Sequence, residues 1–446
     1  MSASIPPASI VPTALALTGL AAVAVGAFVL LVAPRPPPPR RAQLLAPQTG
    51  SLLGPAAYRL PLVPAEDVDV SIAWYFGKIQ TDPGGMNHAL LADAYLRKVR
   101  AGGSPHYYLL AEQAARRSLE VLPHDNDRAR IVLARVAEAR HDFVGALRIA
   151  DGVLAEHPLS TAAMAVQHAC HLACGRLGPA LEIATRLVEH ERSAGTFAMR
   201  AAALLALGRD AEASADLTHA LSIEEVGELE SSARVRTLMG RAAARAGSLA
   251  LADQLYREAL RILPGHVPAL MARAELARRT GHTREAEADF AAAEAVGWTP
   301  ALGIARARLM ARRAPDAAAE LMQRAERDVR RELASGGYGH RRDLASILLE
   351  RDSLAARAEA LELMEQEAAL RRDAITLELL ARAHLAVGHV AAARAAINEA
   401  LALGAREPDL VDTAARIEQV AARAQQPATD GQEVAPRQPT AAGGAR

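Results

Sequence analysis

The sequence predicts an all-α solenoid of antiparallel helix pairs, preceded by a single transmembrane helix. Three observations predict it. The stretch from Ala233 to His266 reads as two short amphipathic helices joined by one glycine. Its spacing of small residues recurs with a period of roughly 34 residues, the signature of a stacked helical array. Ahead of the repeats, the 21 residues from Thr13 to Ala33 are uncharged and mostly apolar.

In Ala233–His266 the first helix carries Leu238, Met239, Gly240 and Ala243 on one face. Gly247 permits a sharp turn because it has no Cβ to clash there. The second helix places Ala252, Leu255, Tyr256, Ala259, Leu260 and Leu263 at i, i+3, i+4 spacing, the pattern of an apolar stripe. Pro264 closes it, lacking the N–H to continue. A hairpin this small cannot bury its own apolar face, so it needs neighbours built the same way.

This pattern resembles the tetratricopeptide repeat (TPR) family. Gly240, Gly247, Ala252, Tyr256, Ala259 and Pro264 fall on its small, turn, small, aromatic, small and proline positions. Arg236 departs from the tryptophan the family favours, and Ala243 from its tyrosine. The resemblance covers residues 85–406 in about nine units and implies a concave face lined by the first helix of each unit. It also implies recognition of a protein or peptide there.

Along the chain, residues 1–33 form an N-terminal tail and the anchor segment. At ~1.5 Å per residue the run 13–33 spans roughly 30 Å, a bilayer core. No Lys or Arg precedes it, and it is longer than a usual signal core, so a retained anchor is favoured over a cleaved signal. Arg35, Arg40 and Arg41 at its carboxyl end orient the bulk of the chain toward the cytoplasm by the positive-inside rule. The expected localisation is therefore single-pass membrane. An exported or periplasmic module, assisting an envelope or metal-handling complex, is the alternative. Residues 34–64 are a Pro-rich linker whose PRPPPPRR favours extended polyproline II.

The solenoid with its end caps is expected over 65–425. Trp74, Tyr75 and Phe76 form the densest aromatic cluster and are expected to pack on the first hairpin as an opening cap. Gly175 and Ala180, then Ala201, Gly208, Ala213 and Ala220, mark the third and fourth units. Ala274, Gly281, Ala286, Phe290 and Ala293 mark the sixth, and Ala381, Gly388, Ala393 and Ala400 return to the pattern near the end. Between Pro300 and Ala369 two helical pairs are read with longer or shifted turns. Glu407–Gln425 reads as a more polar closing helix, as terminal units of solenoids need. Residues 426–446 lack apolar periodicity and are expected to be disordered.

Composition limits the chemistry. Formal net charge is zero, so no global field attracts nucleic acid. Aromatic residues are only 3% of the chain, so Ala and Leu do the packing and helices can approach closely. No P-loop, GxSxG, HExxH or GxGxxG motif is present, and no enzyme or cofactor is expected. Cys170, His171 and Cys174 share one side of a helix, with His168 further round, and make the most metal-like cluster, yet no second segment offers a fourth ligand at a recognisable spacing. Cys170, His171 and Cys174 are therefore read as packing residues, and no metal is expected.

What remains is a surface. The outward side of the first helices presents Arg234, Arg241 and Arg245, then Arg278 and Arg279, then Arg312 and Arg313, with Glu275 the main opposing charge. Guanidinium groups bind carboxylates bidentately, so this stripe is expected to take a protein or acidic peptide partner. A carboxylate clamp of the chaperone-binding kind also needs asparagine, and Asn87, Asn126 and Asn398 all lie away from the stripe.

Overall fold

The computed structural model describes residues 68–100, 106–225, 227–334, 340–405 and 408–425. The described chain is helical, with no strand among the described residues. Helix Val68–Thr81 is followed by nine helical pairs: 85–100/106–121, 127–139/143–156, 161–173/177–190, 194–206/210–222, 229–245/249–262, 267–279/283–296, 300–310/315–334, 341–348/354–370 and 374–386/390–402. Helix Pro408–Gln425 comes last. Below, the pairs are units one to nine.

Local chemistry sets the boundaries. Asn126, Asp142, Ser160, Ser193, Thr299, Ser353 and Asp373 each cap a helix by accepting from a backbone N–H of its first turn, which satisfies donors the helix itself leaves unpaired. The turn inside units three, four, five, six and nine carries a glycine in the left-handed region, at 175, 208, 247, 281 and 388. In unit two that position is His141, at φ +62°.

In most units the first helix packs on the first helix of the next unit as well as on its own partner, whereas second helices of successive units meet mainly through side-chain ion pairs such as Arg330–Glu359. The first helices thus form the inner layer of the stack. Each unit packs on small residues: Ala201, Ala213 and Ala220 in unit four, and Ala274, Ala286 and Ala293 in unit six, are fully buried. Gly240 has the same role in unit five, where a Cβ would lie 2.4 Å from the Tyr256 ring. The fold is a TPR-like all-helical solenoid.

The opening cap differs from expectation. Ile72, Tyr75 and Ile79 pack against the first unit, but Trp74 and Phe76 are 59% and 54% exposed. Adjacent residues on one helix point about 100° apart, so only one member of the aromatic run can face the stack.

The single-pass membrane placement is also corrected. Among the described residues no helix is long and apolar enough to cross a membrane. The stack's helices carry ionised groups throughout; the 20-residue helix Pro315–Ala334 holds nine, from Asp316 to Glu332. The run 13–33 that carried the expectation, the linker 34–64 and the tail 426–446 lie outside the described residues.

Units four and six hold a bidentate ion pair between their helices that the sequence pattern did not reveal. Arg200 donates to Asp216 through Nε at 2.7 Å and Nη2 at 2.6 Å. Arg273 makes the same bidentate pair with Asp289. By register from the shared small residues, the corresponding positions of unit five are Met239 and Leu255, which pack in one apolar cluster. A charged pair and an apolar pair therefore fill the same space. Arg200→Met together with Asp216→Leu is expected to stay within about 1.5 kcal/mol of wild-type stability. Arg200→Met alone strands Asp216, 8% exposed, and should cost roughly 3 kcal/mol in urea unfolding.

Candidate functional site

The stack curls far enough that its later units meet its earlier ones. Arg372 N–H donates to Cys174 O at 3.2 Å. A Cβ on Gly175 would lie 2.5 Å from Arg372 O, and one on Gly404 would lie 2.4 Å from Leu207 O. The His141 and His340 rings are 6.4 Å apart. Three successive turns, in units two, three and four, thus rest against three successive loops: before unit eight, before unit nine and before the last helix. Among the described residues no buried apolar cluster spans this seam; those of the early units and of units eight and nine are separate.

Above the seam lies a cavity of about 520 Å³. One wall comes from the first helices of units three to five, with Leu172, Leu205 and Leu238. The opposite wall comes from the later units, with Ile375 and Leu403. Four guanidinium groups reach it, Arg241, Arg245, Arg342 and Arg371, against one lining carboxylate, Asp373.

Their partners differ. Arg245 donates to Leu205 O at 2.7 Å and lies 3.3 Å from Asp210. Arg342 donates to Asp373 at 3.1 Å. Arg371, 4% exposed, is bonded through Nε to Glu367. Arg241 is exposed and has no ion-pair partner among the described residues.

Of the stripe read from sequence, the cavity therefore gathers only Arg241 and Arg245. Arg234 is bonded to Glu230 at 2.7 Å, and Arg278 is held by both oxygens of Glu275, at 2.6 and 2.8 Å. Arg313 is paired with Glu287 of the preceding unit. Arg279 and Arg312 are exposed and outside the cavity. Arg342 and Arg371 were missed because they enter from later units, roughly 100 and 130 residues along the chain from Arg241, for which no local pattern gives a signal.

Cys170 and Cys174 are buried at 0% and 5% exposure, in a cluster with Ala134, Phe143 and Ala146. Burial pushes the Cys170 thiol up to about 12 and raises that of Cys174. His168 bonds Ala180 O through Nδ1 at 3.0 Å. His171 is half-buried beside them, and burial lowers its pKa. Among the described residues the one grouping of ligand-type atoms is Asp127, Glu156 and His157. Arg130 already sits against it, 2.8 Å from Glu156 and 3.6 Å from Asp127.

No protein-family model matches the chain, and no curated protein matches it. Solved structures do. One, of the APC/C hetero-tetramer Cut9–Hcn1, is 12% identical over 81% of this chain, with a TM-score of 0.43; this chain spans 62% of that one. Human IFIT1, as a dimer with PPP-AAAA, is 15% identical over 77% of this chain and 96% of its own, at 0.40. A tetratricopeptide repeat protein from Parabacteroides merdae is 16% identical over 66% and 98%, at 0.32. Likeness at this level concerns the fold and says nothing of ligands.

Proposed function

We propose that this protein is a non-enzymatic scaffold whose inner cavity holds an apolar, carboxylate-bearing segment of a partner protein. The observation that carries the reading is Arg241: an exposed guanidinium with no ion-pair partner among the described residues, set at an apolar wall of leucines. A guanidinium so placed offers a planar fork to a carboxylate, while Leu205, Leu238, Ile375 and Leu403 offer apolar area. A few precise polar groups in an apolar concavity is the usual composition of a binding pocket. The lining contains no Ser, Cys, His, Tyr, Lys or Glu, so it supplies no nucleophile paired with a base.

The test uses fluorescent peptides combining leucine with aspartate or glutamate, with free or amidated carboxyl ends. Acidic peptides are expected to bind better than their glutamine analogues. Arg241→Ala should weaken them about tenfold, the equivalent of about 1.4 kcal/mol. Arg278→Ala, whose guanidinium is already held by Glu275, should leave binding unchanged. Equal binding by wild type and Arg241→Ala, or a preference for the neutral analogues, would overturn the reading.

A further inference from the structure

A second cavity, of about 320 Å³, lies on the other side of Arg371. Leu96, Arg100, Tyr108, Arg135, Glu138, His141 and Phe143 line it, together with Arg371 itself. Three arginines face one carboxylate, and Arg135 already bonds that carboxylate at 2.8 Å.

Two of its groups carry buried, unsatisfied polar atoms. Arg371 is 96% buried, being 4% exposed, and its Nη2 has no hydrogen-bond partner. His141 Nδ1 is likewise buried without one. Orphaned donors and acceptors inside a protein are costly, and each calls for a reason.

Backbone geometry singles out the same histidine. Five other units put glycine at this turn position, in the left-handed region. His141 adopts φ +62° there, a conformation unfavourable for a residue with a Cβ. Its ring stacks on Phe143 at 5.4 Å. Residues held in such conformations cluster where ligands are held.

We propose that this seam cavity is a binding site for a small oxyanion of the phosphate type. Its holding groups are Arg371 and His141, with Arg135 and Arg100 at the lining.

The surrounding charges leave room for the anion. Glu367 is shared by Arg371 and Arg341, at 3.4 Å from the latter. Asp373 is shared by Arg342 and Arg371, at 3.1 and 4.0 Å. Three guanidinium groups thus divide two carboxylates. Of the other groups nearby, burial raises the pKa of Asp343. Burial opposes charge on His340, but its bond to Glu332 outweighs this and raises its pKa. His141 is held down to about 4 by burial first, then by Arg371, Arg342 and His340, with Glu332 acting the other way. A bound oxyanion reverses that balance by favouring the imidazolium, which donates from both ring nitrogens.

The experiment titrates the histidine ring resonances of the full-length protein by NMR. The His141 signal is assigned as the one absent from His141→Gly. Inorganic phosphate is compared with acetate and with chloride at matched ionic strength. Phosphate is expected to raise the pKa of His141 by about 1–3 units, acetate less, and chloride not at all. His141→Gly restores the residue other units use at this turn, so it should fold with an unchanged or higher Tm while losing phosphate binding by calorimetry. Arg371→Met should abolish the phosphate effect on His141. An unmoved His141 pKa, or phosphate binding equal in wild type and His141→Gly, would overturn the proposal. Acetate acting as strongly as phosphate would overturn the phosphate preference. Arg241 lines only the larger cavity and His141 only this one, so failure of either reading leaves the other to stand on its own data.

Discussion

Replacing Arg236 by alanine is expected to cost roughly 3–5 kcal/mol in equilibrium unfolding, among the largest effects available to one substitution in this chain. Arg236 is 0% exposed on the first helix of unit five. Its Nη2 donates to Glu224 at 3.1 Å and its Nη1 to Ser232 O at 3.0 Å. Its Nε lies 3.9 Å from Glu258, itself 3% exposed. Alanine would leave two buried carboxylates without the guanidinium that lies between them, with Arg261 4.0 Å from Glu258. The companion variant is Arg236→Met with Glu224→Gln and Glu258→Gln, which removes the charges together. It should recover most of the loss, because an apolar or neutral replacement of a buried ion group is often close to neutral. Urea melts of both variants check the pair of outcomes. Equal destabilisation by both would mean that shape, not charge, sets the requirement.

The second large effect concerns the seam. Gly404→Val is expected to open it. Gly404 has φ +92°, and its Cβ would stand 2.4 and 2.5 Å from the carbonyl oxygen and carbon of Leu207. Backbone cannot swing aside as a flexible side chain would, so the two turns must part. Gly388→Ala is the control: φ is +84°, but nothing lies within 4 Å of a Cβ there. The control pays only the left-handed backbone penalty, about 1–2 kcal/mol. Small-angle scattering should show a larger radius of gyration for Gly404→Val and no change for Gly388→Ala. An unchanged radius in both would show that these contacts do not set the curl.

The helix pairs were legible because each is written in local spacing. Gly240 and Tyr256 were recognised as a small and an aromatic position, and the structure puts one against the other. Arg236 was visible as a departure from the family pattern. Its meaning was not, since Glu224 and Glu258 are 12 and 22 residues away and nothing in their spacing marks them as its partners. The arginine stripe shows the same limit. Helix periodicity says which side a guanidinium leaves from, but not whether a carboxylate of a neighbouring turn or unit meets it. Arg313 is met by Glu287 and Arg278 by Glu275, whereas Arg241 is left open to the cavity. The seam had no local signature at all. It depends on the small rotation added at each unit, summed over several units, until residue 372 comes beside residue 174.

That summed rotation changes how the chain should come apart. In an open array each unit feels only its immediate neighbours, so ends fray independently and stability grows by addition. Here the bond from Arg372 to Cys174 closes a loop of nearly 200 residues. Unit three is thereby tied to unit nine as well as to units two and four. Loss of the carboxyl-terminal units would then be felt in the first half of the chain, as faster amide exchange around 174 and 207, far from the cut. A linear stack has two loose ends; this one has its later units fastened to its own middle.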